Sequence, residues 1–178
     1  MMKLMPLSRE AVERALEKAE HYRLLSEPVE AESICRDVLD VDGKNQRAII
    51  GLILSLTDQF RDMANPQAFT EAVRLVARLK DDYNKAYYSG IIFERRAKAH
   101  LNYDIPGSGF TAYGWLKKAM DSFQKAIELC KEEGICDAIL RWNTCVRILT
   151  HNPDIASTPE TVESVITEDN PAGAWRAR

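Results

Sequence analysis

From Ser8 onward the apolar positions Val12, Ala15, Leu16, Ala19, Tyr22 and Leu25 return every three or four residues. That is the period of a helix with one buried face. Ser8 stands at the N-cap position with glutamates in the first turns, which predicts a helix from about residue 8 to 26. Pro28 is placed to open a second helix, where its missing N–H costs nothing. Ala31, Ile34, Cys35, Val38 and Leu39 form its face, and Asp42-Gly43 ends it. A third helix carries Ala48, Ile49, Leu52, Ile53 and Leu56. Pro66 opens a fourth with Phe69, Ala72, Val73, Val76 and Leu79. A fifth holds Tyr87, Tyr88, Ile91, Ile92, Ala97 and Leu101. The sixth runs through Leu116, Ala119, Met120, Phe123, Ala126, Ile127 and Cys130, and the seventh through Ile135, Ile139, Trp142, Val146 and Leu149. No stretch alternates with the period of two that a half-buried strand requires. The expected fold class is therefore all-α.

The second, fourth and sixth helices carry a related pattern: alanine, a larger residue four on, and a third slot three further. The slots read Ala31, Cys35, Val38; Ala72, Val76, Leu79; and Ala119, Phe123, Ala126. With Tyr22 on the first helix and Gly43 at the end of the second, the chain resembles the tetratricopeptide repeat family over roughly residues 8 to 150. The resemblance implies an α-solenoid of three antiparallel helix pairs closed by the seventh helix as a cap, with the small residues letting paired helices approach. The alanines stand 41 and 47 residues apart, where the family period is 34. The surplus is expected in the connections around Asp62 to Pro66 and Asn102 to Gly109. The expected organisation is a repeat domain over 1–150 and a tail over 151–178.

The stretch PGSGFTAYGW, Pro106 to Trp115, concentrates three of the eight glycines. Its third glycine falls one position late for a dinucleotide fingerprint, no Lys-Ser or Lys-Thr completes a P-loop, and the preceding segment reads helical. Pro106 and Gly107 are expected to stop the fifth helix, Ser108 or Gly109 to start the sixth, and Gly114 to allow close approach. Phe110, Tyr113, Trp115 and Leu116 point around the whole axis, and cover from within the chain is expected for them.

Composition refines the picture. The chain has 178 residues, 27 acids against 24 bases and a net charge of -3, so no global positive field favours nucleic acid or an anionic membrane. No apolar window is long enough to span a bilayer and no signal-peptide core is seen, so a cytoplasmic location is expected. Cys35, Cys130, Cys136 and Cys145 read as reduced core residues, since their spacing is unlike a zinc cluster. His21, His100 and His151 have no metal or triad spacing. No catalytic residue, metal or cofactor is expected.

The resemblance implies a concave groove, lined by the first helix of each pair, that binds a peptide segment of another protein. The expected groove residues are Glu13, Glu17 and Glu20, an acidic stripe that also takes in Glu10; Ile50 and Leu54; and Tyr88, Arg95 and Arg96. Glutamates in the first helix are unlike the Lys and Asn with which some family members grip a C-terminal carboxylate. The leading expectation is a non-catalytic scaffold or adaptor. A second is a dedicated chaperone for one client protein, and a third is a small-ligand or anion-binding protein using 106–115. The tail includes a segment at 158–166 with room for one or two helical turns and ends in GAWRAR, for which two expectations stand, disorder or folding back with Trp175 packed and Arg176 or Arg178 on the acidic stripe.

Overall fold

A computed structural model describes residues 3–61, 66–102, 107–131, 136–152 and 155. Among them are seven α-helices, two short 3-10 turns and no strand: α1 (Val12–Leu24), α2 (Pro28–Val41), α3 (Gln46–Asp58), α4 (Pro66–Val76), α5 (Asp82–Leu101), α6 (Ser108–Leu129) and α7 (Asp137–His151). The all-α expectation holds helix by helix. The chain divides into two compact units, Met1–Tyr88 and Ser89–Arg178, at a point within α5. Both expectations for Trp175 and the terminal arginines lie outside the described residues.

In the first unit, the local chemistry sets the helix ends. A 3-10 turn (Arg9–Ala11) precedes α1, so Ser8 is not its cap: the Ser8 hydroxyl bonds no helix N–H, and only its carbonyl accepts from Ala11. At the far end Ser26 adopts φ 62°, a left-handed conformation usually left to glycine, and the Glu27 N–H closes back on the Tyr22 carbonyl. Pro28 occupies the first turn of α2, as its lack of an N–H favours. Asn45 caps α3 by accepting the Ala48 N–H at 3.0 Å, an interaction worth about 1 kcal/mol.

α1 packs on α2, α2 on α3 and α3 on α4, and α1 also touches α3. The faces that meet are those the apolar period marks: Leu16, Ala31, Cys35, Val38, Ile49, Leu52, Ile53 and Leu56 are all buried. Gly51 allows α2 and α3 to come close, since a Cβ there would lie 2.9 Å from the Cys35 sulfur. Phe60, buried in the 3-10 turn after α3, meets the Phe69 ring at 6.0 Å.

Five polar ties across this unit share nearly one sequence separation, beside others at 27 and 32 residues. Arg47 on α3 reaches Glu13 on α1, and Arg23 on α1 reaches Asp58 on α3 at 2.8 Å. Arg36 on α2 forms a two-pronged bond to Glu71 on α4, both contacts 2.8 Å. Arg78 donates to the Gly43 carbonyl at 2.8 Å, and the Lys80 N–H to Gln46 Oε1 at 2.9 Å. The partners are 34 or 35 residues apart in each of these five. α3 thus lies beside α1, and α4 beside α2, each advanced by the same length of chain.

The second unit is built from the rest of α5 with α6 and α7. Gly90 lies under the Phe123 ring, where a Cβ would come within 2.6 Å of Cδ1. Phe93 stacks on Trp115 with centroids 5.6 Å apart, and the Lys118 ammonium sits 4.2 Å from the indole centre. Trp115 is buried as expected, its cover coming from α5. Ser108 to Trp115 is the start of α6 rather than a loop, entered through Gly107 at φ 86°. Gly109 sits against Ile155, with a Cβ position 3.3 Å from Ile155 Cγ2.

Two expectations change. Ala31 is the fourth residue of α2, whereas Ala119 is the twelfth of α6, so much of the surplus spacing is an N-terminal extension of α6 rather than connection. In α7 the buried residues are Ala138 and Cys145, while Ile139 and Val146, expected in the core, are 42% and 40% exposed. Small residues make the α7 contact because α6 runs close beside it.

Candidate functional site

The acidic stripe is positioned by α1. Glu13, Glu17 and Glu20 follow at i, i+4 and i+7, all exposed, and helical geometry puts them on one face. Arg47, from the first turn of α3, reaches across to both Glu13 and Glu20, the latter at 3.2 Å. On α3, Ile50 and Leu54 lie one and two turns on from Arg47, on the same face, and both are half-buried. Asp58 closes the far end through its pair with Arg23. Three carboxylates against one guanidinium leave the face acidic, with an apolar strip beside the charge. Such a face attracts cationic side chains and offers apolar area to the residues between them.

Tyr88 is half-buried near the start of α5, its ring edge-on to Tyr87 at 5.2 Å, and Tyr87 stacks on Tyr83 at 5.8 Å. Arg95 and Arg96 are half-buried on α5 and belong to the second unit. The structure therefore gathers Glu13, Glu17, Glu20, Ile50 and Leu54 on two adjacent helices of the first unit. Arg47, absent from the sequence expectation, is the residue that joins them. Its signal was its position 34 residues after Glu13, one repeat period on.

The second unit holds a charged cluster that the sequence reading missed. Glu94, on the buried side of α5, is 0% exposed. Lys98 Nζ, one turn on, and Arg141 Nη2 of α7, at 2.8 Å, both lie within ion-pair distance of its carboxylate. Neither contact follows a hydrogen-bonding direction of the carboxylate oxygens. The signal in sequence was a glutamate in phase with Gly90 and Ala97, with lysine at i+4. Cys145 lies next to this cluster. Burial, and then the Glu94 charge, push its thiol up to about 12. Burial likewise pushes Cys35 up to about 11. Both thiols are protonated at neutral pH and are poor nucleophiles there.

Cys35, Cys130, Cys136 and Cys145 are free thiols. Among the described residues no three His, Cys, Asp or Glu side chains group as metal ligands, and no helix is long and apolar enough to cross a membrane. Comparison of the chain with protein-family models, with curated proteins and with solved structures gives no match.

Proposed function

We propose that this chain is a tetratricopeptide-like helical scaffold, an α-solenoid that binds a peptide segment of another protein without catalysing a reaction. The observation that carries the reading is the 34 to 35-residue separation shared by five ties, between α1 and α3, between α2 and α4, and between the segments that follow α2 and α4, beside others at 27 and 32 residues. Stacked helix pairs related by one repeat produce that recurrence, and 34 residues is the tetratricopeptide period. Complete burial of Ala31, Ala72 and Ala119, the three pattern alanines, agrees with their expected place on packed helix faces.

In such an array the first helices of consecutive pairs line the binding surface, and here those helices are α1 and α3. Their shared face carries Glu13, Glu17 and Glu20 with Ile50 and Leu54. The segment it fits is an extended or helical peptide with a basic residue next to apolar ones. Charges at the rim guide encounter and register, each pair contributing about 0 to 1 kcal/mol, and the apolar strip supplies contact area.

The test is selection of peptides from a random display library against the whole chain, followed by amide chemical-shift mapping. The reading expects enriched peptides to carry lysine or arginine beside apolar residues and to shift amides of Val12–Leu24 and Gln46–Asp58. Peptides that shift only amides elsewhere contradict it.

A further inference from the structure

Helix α7 has two apolar faces, and the packed one is the poorer in carbon. Ala138 and Cys145 are buried and Arg141 reaches Glu94, so this side faces the unit's interior. The other side carries Ile139, Trp142, Val146 and Leu149 at i, i+3, i+7 and i+10, a continuous stripe of large residues. Trp142 and Leu149 are half-buried, while Ile139 and Val146 stand 42% and 40% exposed. A stripe of this kind marks a surface that another element covers.

We infer that the chain's own segment 158–168 is what covers it. The segment begins close by, because Ile155, buried against Gly109 at the first turn of α6, holds the chain four residues past the end of α7. Its sequence, TPETVESVITE, has the features of a short amphipathic helix: Thr158-Pro159 at the opening, Glu160 in the first turn, and Val162, Val165 and Ile166 on one face. Ten helical residues extend about 15 Å, the same rise as the ten-residue step from Ile139 to Leu149. Charge agrees as well. From Ala156 to Asp169 the chain has Glu160, Glu163, Glu168 and Asp169 and no lysine or arginine, whereas the outer side of α7 presents Arg147 and His151, both exposed. Docking antiparallel to α7 places the three apolar residues on the stripe and Glu160, at the start of the segment, towards those bases.

Methyl-labelled full-length chain tests this by nuclear Overhauser contacts, together with amide exchange. Contacts between the Ile139 or Val146 methyls and those of Val162, Val165 or Ile166 are expected, with amides of 161–167 protected at least about tenfold over unstructured rates. Val146→Asp, at an exposed position, should abolish both while α1 to α6 keep their protection. Val165→Asp, outside the helical bundle, should do the same. Unprotected 161–167 amides in the wild-type chain overturn the inference, and so does protection that survives Val146→Asp. Contacts seen only between differently labelled chains in a mixed sample also overturn it, by assigning the stripe to a second copy.

Discussion

Glu13 and Arg47 are 34 residues apart and form an ion pair between α1 and α3. Both are well exposed, at 70% and 50% of their side-chain surface, so the pair adds little to stability. Its importance is geometric, because it marks which faces of the two helices share a surface. Arg47→Ala is therefore expected to change denaturant stability by less than about 1 kcal/mol, while raising the affinity of the α1–α3 face for lysine-bearing peptides. A large loss of stability measured in urea contradicts this division of roles.

Ala119 is fully buried on α6. Ala119→Leu adds three carbons to a space with no room for them and should destabilise by about 1 to 3 kcal/mol. Equal midpoints for the two chains in denaturant unfolding would contradict the repeat register of α6.

Glu94 sits between Lys98 and Arg141 with no exposure of its own. Glu94→Ala leaves two cations facing a site built for a carboxylate, with an expected loss of about 3 to 5 kcal/mol. Adding Arg141→Met should recover part of that loss by removing one of the cations. A double-mutant cycle measures the recovery, and strict additivity would show that the cluster does not act as a unit.

Arg36 holds Glu71 in a two-pronged bond, and its hydrogen bonds keep the Glu71 carboxyl below its ordinary 4.5. A carboxyl depressed on folding contributes stability that is complete above 4.5 and is lost as pH falls through the lower folded value. With Glu71 37% exposed on its side chain, solvent screening limits the effect to about 1 kcal/mol or less. Glu71→Gln should thus cost stability at pH 7 and nothing at a pH well below 4.5. A gap between the two chains that stays constant with pH would assign the loss to packing.

Helix order and most helix faces were legible because Pro28, Pro66 and the apolar period are local signals, which a helix displays whatever it packs against. The spacing of the pattern alanines concealed the stacking. Ala31 and Ala72 are 41 residues apart, yet Arg36 and Glu71 on the same two helices meet at 35. The surplus of the alanine spacing over a 34-residue repeat is about two helical turns, which keeps Ala72 on the packed face while moving it along the helix. Helix α7 misled in a different way. Periodicity shows that Ile139 and Val146 share a face, but not whether that face or the one with Ala138 and Cys145 is packed. Burial of Glu94 was hidden because its partner Arg141 lies 47 residues away, and no local rule pairs them.

Association kinetics of a library-selected basic peptide, followed across salt concentrations, test the central claim most directly. The chain with Glu13, Glu17 and Glu20 changed to lysine is compared with the wild type. The wild-type chain should associate quickly at low salt and be slowed as salt screens the acidic face. The variant should associate more slowly and show little or no slowing by salt, with an unchanged far-ultraviolet helical signal. Identical association rates for both chains at every salt concentration would contradict the assignment of the α1–α3 face as the binding surface.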